Sequence, residues 1–236
     1  MSRKPIIQHV VLSDLHYPLQ ASSTIDEIVN NLAKYRVINL HLLGDMYDLA
    51  GMSRFLVSSH DIARTASEIG EGRAYLSKLI RNIRPETCFF YLGNHEERLL
   101  KYLLRNAPAL DGLCDYSLLT PKGVEPICRN RSGSYWGGLV LDDILFIHGD
   151  VVRRNPGAAS LTLLREHNNH TTGWKGLVMG HTHHLALNYW NEMWAAESGH
   201  LSNIHKYSWL SFRPVWTVGF LVIRDGYPAL CRGGAV

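Results

Sequence analysis

Gly93-Asn94-His95-Glu96 is the stretch that decides the fold of this chain. The run before it, Cys88-Phe89-Phe90-Tyr91-Leu92, is apolar and aromatic, which is typical of a buried strand. The residues after it have helical spacing, with leucines at four positions of one face: Leu99, Leu100, Leu103 and Leu104. Asn94 and His95 are therefore predicted on a tight turn between a strand and a helix, where open α/β sheets place ligand sites. From this stretch alone, a turn that uses Asn and His for capping is an equal alternative.

Four further apolar runs end in the same kind of residue. They lead into Asp14-Leu15-His16, Gly44-Asp45-Met46-Tyr47-Asp48, His148-Gly149-Asp150 and Gly180-His181-Thr182-His183. Five such strand ends in one chain favour a shared site over ordinary loop polarity. Side chains two apart in an extended segment face the same way. We therefore expect Leu15 and Thr182, which separate the paired residues, to point away from the site.

The mixture of Asp, Asn and His indicates the kind of metal that such a site would bind. Borderline divalent ions such as manganese, iron or zinc accept both imidazole nitrogen and carboxylate oxygen. A cysteine set would have indicated structural zinc, and carboxylates alone would have indicated magnesium or calcium. The sequence therefore predicts catalytic metal ions with positions open to water.

The series of five blocks resembles the calcineurin-like metallophosphoesterase superfamily. Asp-x-His, Gly-Asp-x-x-Asp, Gly-Asn-His-Glu, His-Gly-Asp and Gly-His-x-His occur in the order of that family, from Asp14 to His183. The resemblance implies one domain over residues 1–236, with two mixed β-sheets packed as a sandwich and flanked by helices in a four-layer α/β fold. The compact length is similar to that of stand-alone bacterial or phage-encoded members.

The resemblance also implies a two-metal-dependent hydrolase of phosphoesters, a phosphodiesterase or phosphomonoesterase, in which a metal-bridging hydroxide is the nucleophile. Asp45 would bridge the two divalent ions, for which manganese is expected first and iron, zinc, nickel or magnesium are alternatives. One ion would be bound by Asp14, His16, Asp45 and His183, and the other by Asp45, Asn94, His148 and His181.

Three further residues receive roles from the same resemblance. His95 would be the general acid that protonates the leaving oxygen, and Asp48 would orient it, although a helix N-cap is the alternative for Asp48. The Asn94 amide and the Arg98 guanidinium would hold phosphate oxygens, although Arg98 could instead be a solvated surface residue. The remaining histidines lack ligand spacing, and we expect none of them to bind metal: His9, His41, His60, His167, His170, His184, His200 and His205.

The substrate stays open among nucleotides, nucleic acids and phosphoproteins. The form Gly-Asn-His-Glu-x-Arg, ending at Arg98, is similar to that of phosphoprotein phosphatases, but Leu49 stands where those enzymes carry Arg. Lipid-A precursor pyrophosphohydrolases carry Arg at the position of His95, which argues against that activity. A non-catalytic scaffold with the same fold is a further alternative, and the intact set of predicted ligands argues against it.

Composition limits the other classes of function. The chain has 236 residues, 46% of them hydrophobic, and a formal net charge of +3, which is too small to indicate a nucleic-acid-binding module. The sequence pattern gives no base-stacking platform of aromatic and basic residues. Four separated cysteines without a Cys-x-x-Cys pair are typical of reduced thiols. We expect a cytoplasmic protein with a phosphoester substrate, no membrane segment and no obligatory protein partner.

The strands in the first part of the chain are predicted to pair in parallel, and those in the last part are predicted to pair antiparallel. A strand, a helix and a second strand before Asp45 predict a right-handed parallel crossover. Residues 53–84 have a helical pattern with an expected break near Gly70-Glu71-Gly72. Hairpin turns are predicted at Asp142-Asp143, Asn191-Glu192 and Asp225-Gly226.

Overall fold

The structure is a computed structural model. It describes residues 4–55, 57–110, 115–124, 126–127, 137–167, 173–203, 205 and 215–236. Within these ranges the chain forms eleven strands and four α-helices, with short 3₁₀ turns at Ala50–Met52, Pro108–Leu110 and Tyr116–Leu118.

The strands are β1 (Ile6–Leu12), β2 (Arg36–Leu42), β3 (Thr87–Tyr91), β4 (Pro126–Ile127), β5 (Leu139–Leu141), β6 (Ile144–Ile147), β7 (Gly176–Met179), β8 (Leu185–Trp190), β9 (Met193–Ser198), β10 (Gly219–Arg224) and β11 (Tyr227–Arg232). The helices are α1 (Ser22–Leu32), α2 (Ser59–Ile83), α3 (Glu97–Asn106) and α4 (Ala158–His167).

The strands form two mixed sheets. The six-stranded sheet has the order β11-β10-β1-β2-β3-β4, and the five-stranded sheet has the order β5-β6-β7-β9-β8. β1, β2, β3 and β4 are parallel, as are β6, β7 and β9. Antiparallel partners complete each sheet through β10 and β11 on one and β5 and β8 on the other. The parallel pairing of β1 with β2 across α1 and the three predicted hairpin turns are confirmed.

Three hydrophobic clusters fill the spaces between four layers. The largest lies between the six-stranded sheet and α1, α2 and α3. The second joins the inner faces of the sheets, where Val11 and Leu221 meet Phe146 and Val178. The third packs α4 against the outer face of the five-stranded sheet through Leu163 and its neighbours. The sandwich flanked by helices therefore has the predicted α/β/β/α architecture.

α2 differs from the prediction in one detail, and the leucine face of α3 is only partly buried. α2 continues without a break through Gly70 and Gly72. Gly72 allows a close contact with Tyr47, because a Cβ there would lie 2.5 Å from the tyrosine ring. In α3 only Leu99 is buried, while Leu104 is 54% exposed. None of the helices in the described ranges has the length and hydropathy required to cross a membrane.

Candidate metal centre

The motif loops meet at one end of the two sheets. The Asp14 backbone N–H donates to the Gly44 carbonyl at 3.1 Å, and the His16 N–H donates to the Asp45 carbonyl at 3.0 Å. From the other sheet, the His181 N–H donates to the Asp14 carboxylate at 3.0 Å. Loops from both sheets are therefore held against one another by backbone groups, as the carboxyl ends of parallel strands allow.

The side chains of these loops form three overlapping groups that could hold metal ions. Within each group the ligand atoms lie within 4.8 Å of one another. The groups are Asp14 with His16 and His183; His16 with Asp45 and His95; and Asp45 with His148 and His181. Because Asp45 belongs to two groups, its two carboxylate oxygens can face two neighbouring positions. Six of the seven predicted ligands are brought together in this way.

Left-handed backbone conformations orient most of the candidate ligands. Positive φ angles of 51° to 70° occur at Asp14, His16, Asp45, His181 and His183. For residues other than glycine this conformation is uncommon and costs roughly 1–3 kcal/mol at each position where the surroundings impose it. The prediction that the paired residues alternate along extended segments is therefore wrong in its geometry. The loops curl so that alternate side chains point into the same space.

The residues between the paired ligands point away from the centre, as predicted. Leu15 is fully buried in the core beneath the six-stranded sheet. The Thr182 hydroxyl donates to Glu197 Oε2 at 3.0 Å, on the side of the five-stranded sheet. Each spacer residue thus anchors its loop to the body of the protein.

The pairing of His148 with Asp45 has the chemistry of a cation site. His148 Nδ1 donates to the Leu43 carbonyl at 2.8 Å, which leaves Nε2, buried and 3.4 Å from Asp45 Oδ1, to bind either a proton or a metal ion. Burial alone would lower the pKa of His148, but the Asp45 carboxylate outweighs it and raises the pKa to about 10. A positive charge between these two atoms is thus favoured, and a metal ion can supply it in place of the proton.

The group formed by Asp14, His16 and His183 also has the chemistry of a cation site. His16 Nε2 and His183 Nε2 lie 3.2 Å apart, and Asp14 Oδ1 lies 3.3 Å from His183 Nε2. Burial would raise the pKa of Asp14, but the hydrogen bond and charge of His183 outweigh it and lower the pKa to about 2. An ionised carboxylate beside two imidazole nitrogens is a donor set for a borderline divalent ion.

Asn94, the seventh predicted ligand, is an amide and so does not belong to these groups of carboxylates and imidazoles. It lies next to the centre in sequence, because the N–H of the following residue, His95, donates to Asp45 Oδ1 at 2.9 Å. Asn94 Oδ1 is buried and makes no hydrogen bond to any described residue. A buried amide oxygen without a donor is costly, and a cation beside Asp45 would satisfy it.

Gly93 provides a test of this packing. A Cβ at Gly93 would lie 2.1 Å from Asp45 Oδ1 and 2.5 Å from the Asp45 nitrogen. We expect Gly93→Ala to displace the carboxylate and to lower metal affinity about 10- to 100-fold, as disturbed ligand orientation does. Isothermal titration with Mn²⁺ measures this.

The control for Gly93 is Gly70→Ala, because a Cβ at Gly70 in α2 meets nothing within 4 Å. This change is expected to leave metal affinity unaltered and to stabilise the fold by about 1 kcal/mol. Normal metal binding in Gly93→Ala would show that Asp45 does not depend on this close approach.

Asp48, His95 and Arg98 form a connected group beside Asp45. His95 Nδ1 donates to the Asp48 carbonyl at 2.7 Å, and Arg98 donates to the same carbonyl at 2.7 Å and to His95 Nε2 at 2.8 Å. Asp48 Oδ1 lies 3.4 Å from both His16 Nδ1 and His95 Nδ1. Burial would raise the pKa of Asp48, but hydrogen bonds to the two histidines lower it. The carboxylate of Asp48 therefore faces these histidines and caps none of the described helices.

Two glutamates, Glu96 and Glu197, hold the motif loops in place through hydrogen bonds. Glu96, fully buried, accepts the backbone N–H groups of Asp45, Tyr47 and Gly93 at 2.8–3.0 Å. Burial and the nearby Asp45 raise the pKa of Glu96 to about 7. The sequence placed Glu96 next to His95 but did not indicate that it accepts these backbone N–H groups. Its position in Gly-Asn-His-Glu was the one available signal.

Glu197, at the end of β9, was not indicated by any motif. It accepts the Thr182 hydroxyl, His184 Nδ1 at 3.0 Å, and the backbone N–H groups of Ala159 and Ser160 at the start of α4. Glu197 thereby ties the His181–His183 loop to a helix N-terminus, whose dipole favours a carboxylate.

The other histidines in the described ranges lie outside the three groups. His41 is a satisfied core residue, as expected: Nε2 lies 3.0 Å from His9 Nδ1, and Nδ1 lies 2.9 Å from the Tyr91 hydroxyl. His200 is buried and stacks on His183 at 5.0 Å, with Nδ1 2.9 Å from the Ser202 hydroxyl. His170 lies outside the described residues.

The chain was compared with protein-family models, with curated proteins and with solved structures. No protein-family model matches the chain, and a search of curated proteins gives no significant match. Among solved structures, the hypothetical protein PH1004 from Pyrococcus horikoshii OT3 is 10% identical, with a TM-score of 0.55, covering 96% of this chain and 87% of that chain.

Two other solved structures are similar at lower TM-scores. A novel archaeal phosphodiesterase is 10% identical with a TM-score of 0.45, covering 94% and 98% of the two chains. Vacuolar protein sorting 29 from Cryptosporidium parvum is 16% identical with a TM-score of 0.47, covering 94% of each chain. The chain therefore shares its overall fold, two mixed β-sheets flanked by helices, with PH1004 over nearly its whole length.

Proposed function

We propose that the protein is a two-metal-dependent hydrolase of phosphoesters. The observation that carries this proposal is the position of Asp45, whose carboxylate belongs to two groups of potential ligands. One ion would be bound by Asp14, His16, Asp45 and His183, and the other by Asp45, Asn94, His148 and His181. This assignment is the one expected from the sequence.

The bound metal ions would supply a water of lowered pKa and neutralise phosphate charge. The chain itself fixes the ligands before substrate arrives. Glu96 holds the Asp45 and Gly93 backbones, and Glu197 holds Thr182 between the two ligands of its loop. Such preorganisation is what electrostatic stabilisation of a transition state requires.

His95 is the proposed general acid. The Asp48 carbonyl accepts from Nδ1, which leaves Nε2 directed to the side of Asp45 Oδ2, 3.9 Å away. Nε2 accepts a hydrogen bond from Arg98. To act as the general acid, Nε2 must first bind a proton from solvent, and the guanidinium must therefore turn from His95 to the phosphate oxygens; the imidazolium then gives that proton to the leaving oxygen.

Arg98 then gives a specific prediction. We expect Arg98→Ala to lower kcat/KM about 10- to 100-fold with both metals retained, because hydrogen bonds to charged groups contribute roughly 1.5–3 kcal/mol. Arg98→Lys should restore only part of the loss, since Lys lacks the bidentate fork. A phosphomonoester, which carries more charge, should lose more than a diester. Steady-state kinetics on both substrates measures this.

The control for Arg98 is Arg81→Ala, which removes an exposed guanidinium from the last turn of α2. If Arg98→Ala matches Arg81→Ala on both substrates, Arg98 is only a surface residue. A loss that depends on the leaving group but not on phosphate charge would show that Arg98 acts only by positioning His95.

An activity panel on the metal-reconstituted protein tests the proposed function. The panel contains a phosphomonoester, a small phosphodiester, a cyclic nucleotide, single-stranded DNA and a phosphopeptide, each with Mn²⁺, Fe²⁺, Zn²⁺, Ni²⁺ or Mg²⁺. Metal-dependent turnover of the small diester or the monoester supports a hydrolase. Turnover of the phosphopeptide above the rest would support the phosphatase alternative, and inactivity with every ion would support a scaffold.

A further inference from the structure

A basic cleft opens beside the candidate metal centre. Its volume is about 380 Å³, within the usual range of ligand sites. Six residues define it here: Arg54, Phe55, Asn94, Arg98, Tyr102 and Arg105. Lys101 also lines it, and none of the described residues that line it is acidic. The net charge of +3 for the whole chain is therefore compatible with four cations in this cleft, of which Lys101 is paired with the neighbouring Glu97.

Two segments far apart in sequence build this cleft. Arg98, Lys101, Tyr102 and Arg105 recur at the spacing of one face of α3, over roughly 10 Å of helix at 1.5 Å per residue. The loop after the Ala50–Met52 turn supplies the other part of the lining. The cleft therefore extends well beyond the dimensions of a single phosphate group.

Aromatic rings alternate with the cations. Phe55 is 68% exposed and Tyr102 is 38% exposed, and the Arg54 guanidinium lies 5.1 Å from the centre of the Phe55 ring. Exposed rings among cations suit a chain of alternating bases and phosphates, because bases stack on rings and phosphates pair with guanidinium groups. A phosphopeptide would use the cations but would have no general need for the two rings.

Asn94 and Arg98 connect the cleft to the metal centre. Asn94 lines the cleft and is also a proposed metal ligand, and Arg98 contacts His95 Nε2. A substrate phosphate at the metals would therefore direct one adjoining part of its chain into the cleft.

We propose that this cleft binds single-stranded nucleic acid, so that the nucleotides flanking the cleaved phosphodiester stack on Phe55 and Tyr102 while Arg54 and Arg105 contact their phosphates. This inference rests on the proposed function and names its substrate class. The sequence pattern gave no sign of this cleft, because the two segments that line it are separated by more than 40 positions.

Binding to metal-free protein tests the cleft independently of catalysis. The probe is a fluorescein-labelled thymidine oligonucleotide of about a dozen nucleotides, followed by anisotropy in EDTA. Phe55→Ala and Tyr102→Ala are each expected to weaken binding roughly 5- to 100-fold. Arg105→Ala should reduce the slope of log K against log salt by about 0.7.

Exposed residues elsewhere provide matched controls. Tyr227→Ala removes a ring that is 74% exposed in the β10–β11 hairpin, and Arg81→Ala removes a cation from α2. Both should bind the oligonucleotide as the unchanged protein does. Because Phe55 is mostly exposed, its replacement is expected to keep the fold, which circular dichroism checks.

The outcomes separate the cleft from the proposed function. Equal binding by the cleft variants and the controls would overturn the inference even if the protein hydrolyses small diesters. Tighter binding of a phosphoserine peptide than of the oligonucleotide, lost in Arg105→Ala but kept in Phe55→Ala, would also overturn it. With active metal-loaded protein, the cleft variants should lose more kcat/KM on the oligonucleotide than on the small diester. Failure of hydrolysis alone would reject the proposed function and leave the binding result standing.

Discussion

Replacing Asp45 by Asn is expected to lower turnover by about 10³-fold or more and to reduce the occupancy of both metal positions. The buried carboxylate belongs to two of the three ligand groups. Its pKa lies well below the usual value because the charges of His148 and His95 outweigh the effect of burial, so it is ionised as a ligand must be. A bound metal contributes several kcal/mol to catalysis, and each 1.36 kcal/mol corresponds to a factor of ten.

Elemental analysis of metal per chain, measured beside turnover, tests the Asp45 prediction. Asp225→Asn is the matched control, because Asp225 is exposed in a hairpin turn at a φ of 52°, a conformation that Asn also adopts. The control should keep both metals and full turnover. Two retained metals with near-normal turnover in Asp45→Asn would reject the bridging role.

Replacing His95 by Ala is expected to retain both metals and to lower turnover by about 10²- to 10⁴-fold, the usual contribution of a general acid. The loss should be smaller for a nitrophenyl ester, whose leaving group needs little protonation. Rate measurements on esters with good and poor leaving groups, together with metal analysis, provide both readouts. His60→Ala, an exposed histidine on α2, is the control.

The metal content of His95→Ala also decides whether His95 is a general acid or a metal ligand. His95 belongs to one of the potential ligand groups, with His16 and Asp45. Loss of one metal in the variant would make His95 a ligand rather than an acid. Equal rate losses for good and poor leaving groups, with both metals present, would restrict His95 to stabilising the phosphate.

The sequence was sufficient to predict the sandwich and the convergence of its motif loops. Apolar strands have a clear pattern, and the parallel order brings their carboxyl ends to one edge, so residues such as Asp14 and Asp45 could be placed from local signals. Their roles as ligands stay proposals, which the metal analyses above address.

The other features of the site depend on tertiary structure and could not be predicted from the sequence. The left-handed backbone at His181 and His183 follows from packing rather than from local preference, and extended alternation was expected in its place. Glu197 acts through a helix N-terminus from another part of the chain. The basic cleft likewise combines Phe55 with Tyr102, which no local pattern could bring together.

The number and position of bound metal ions test the central claim most directly. Crystals grown with Mn²⁺ and measured at the manganese absorption edge would give an anomalous difference map. We predict two peaks about 3.5–4 Å apart, one on each side of the Asp45 carboxylate, the first beside His16 and His183 and the second beside His148 and His181. A single peak, or two peaks that do not share Asp45, would contradict a dinuclear centre bridged by this residue.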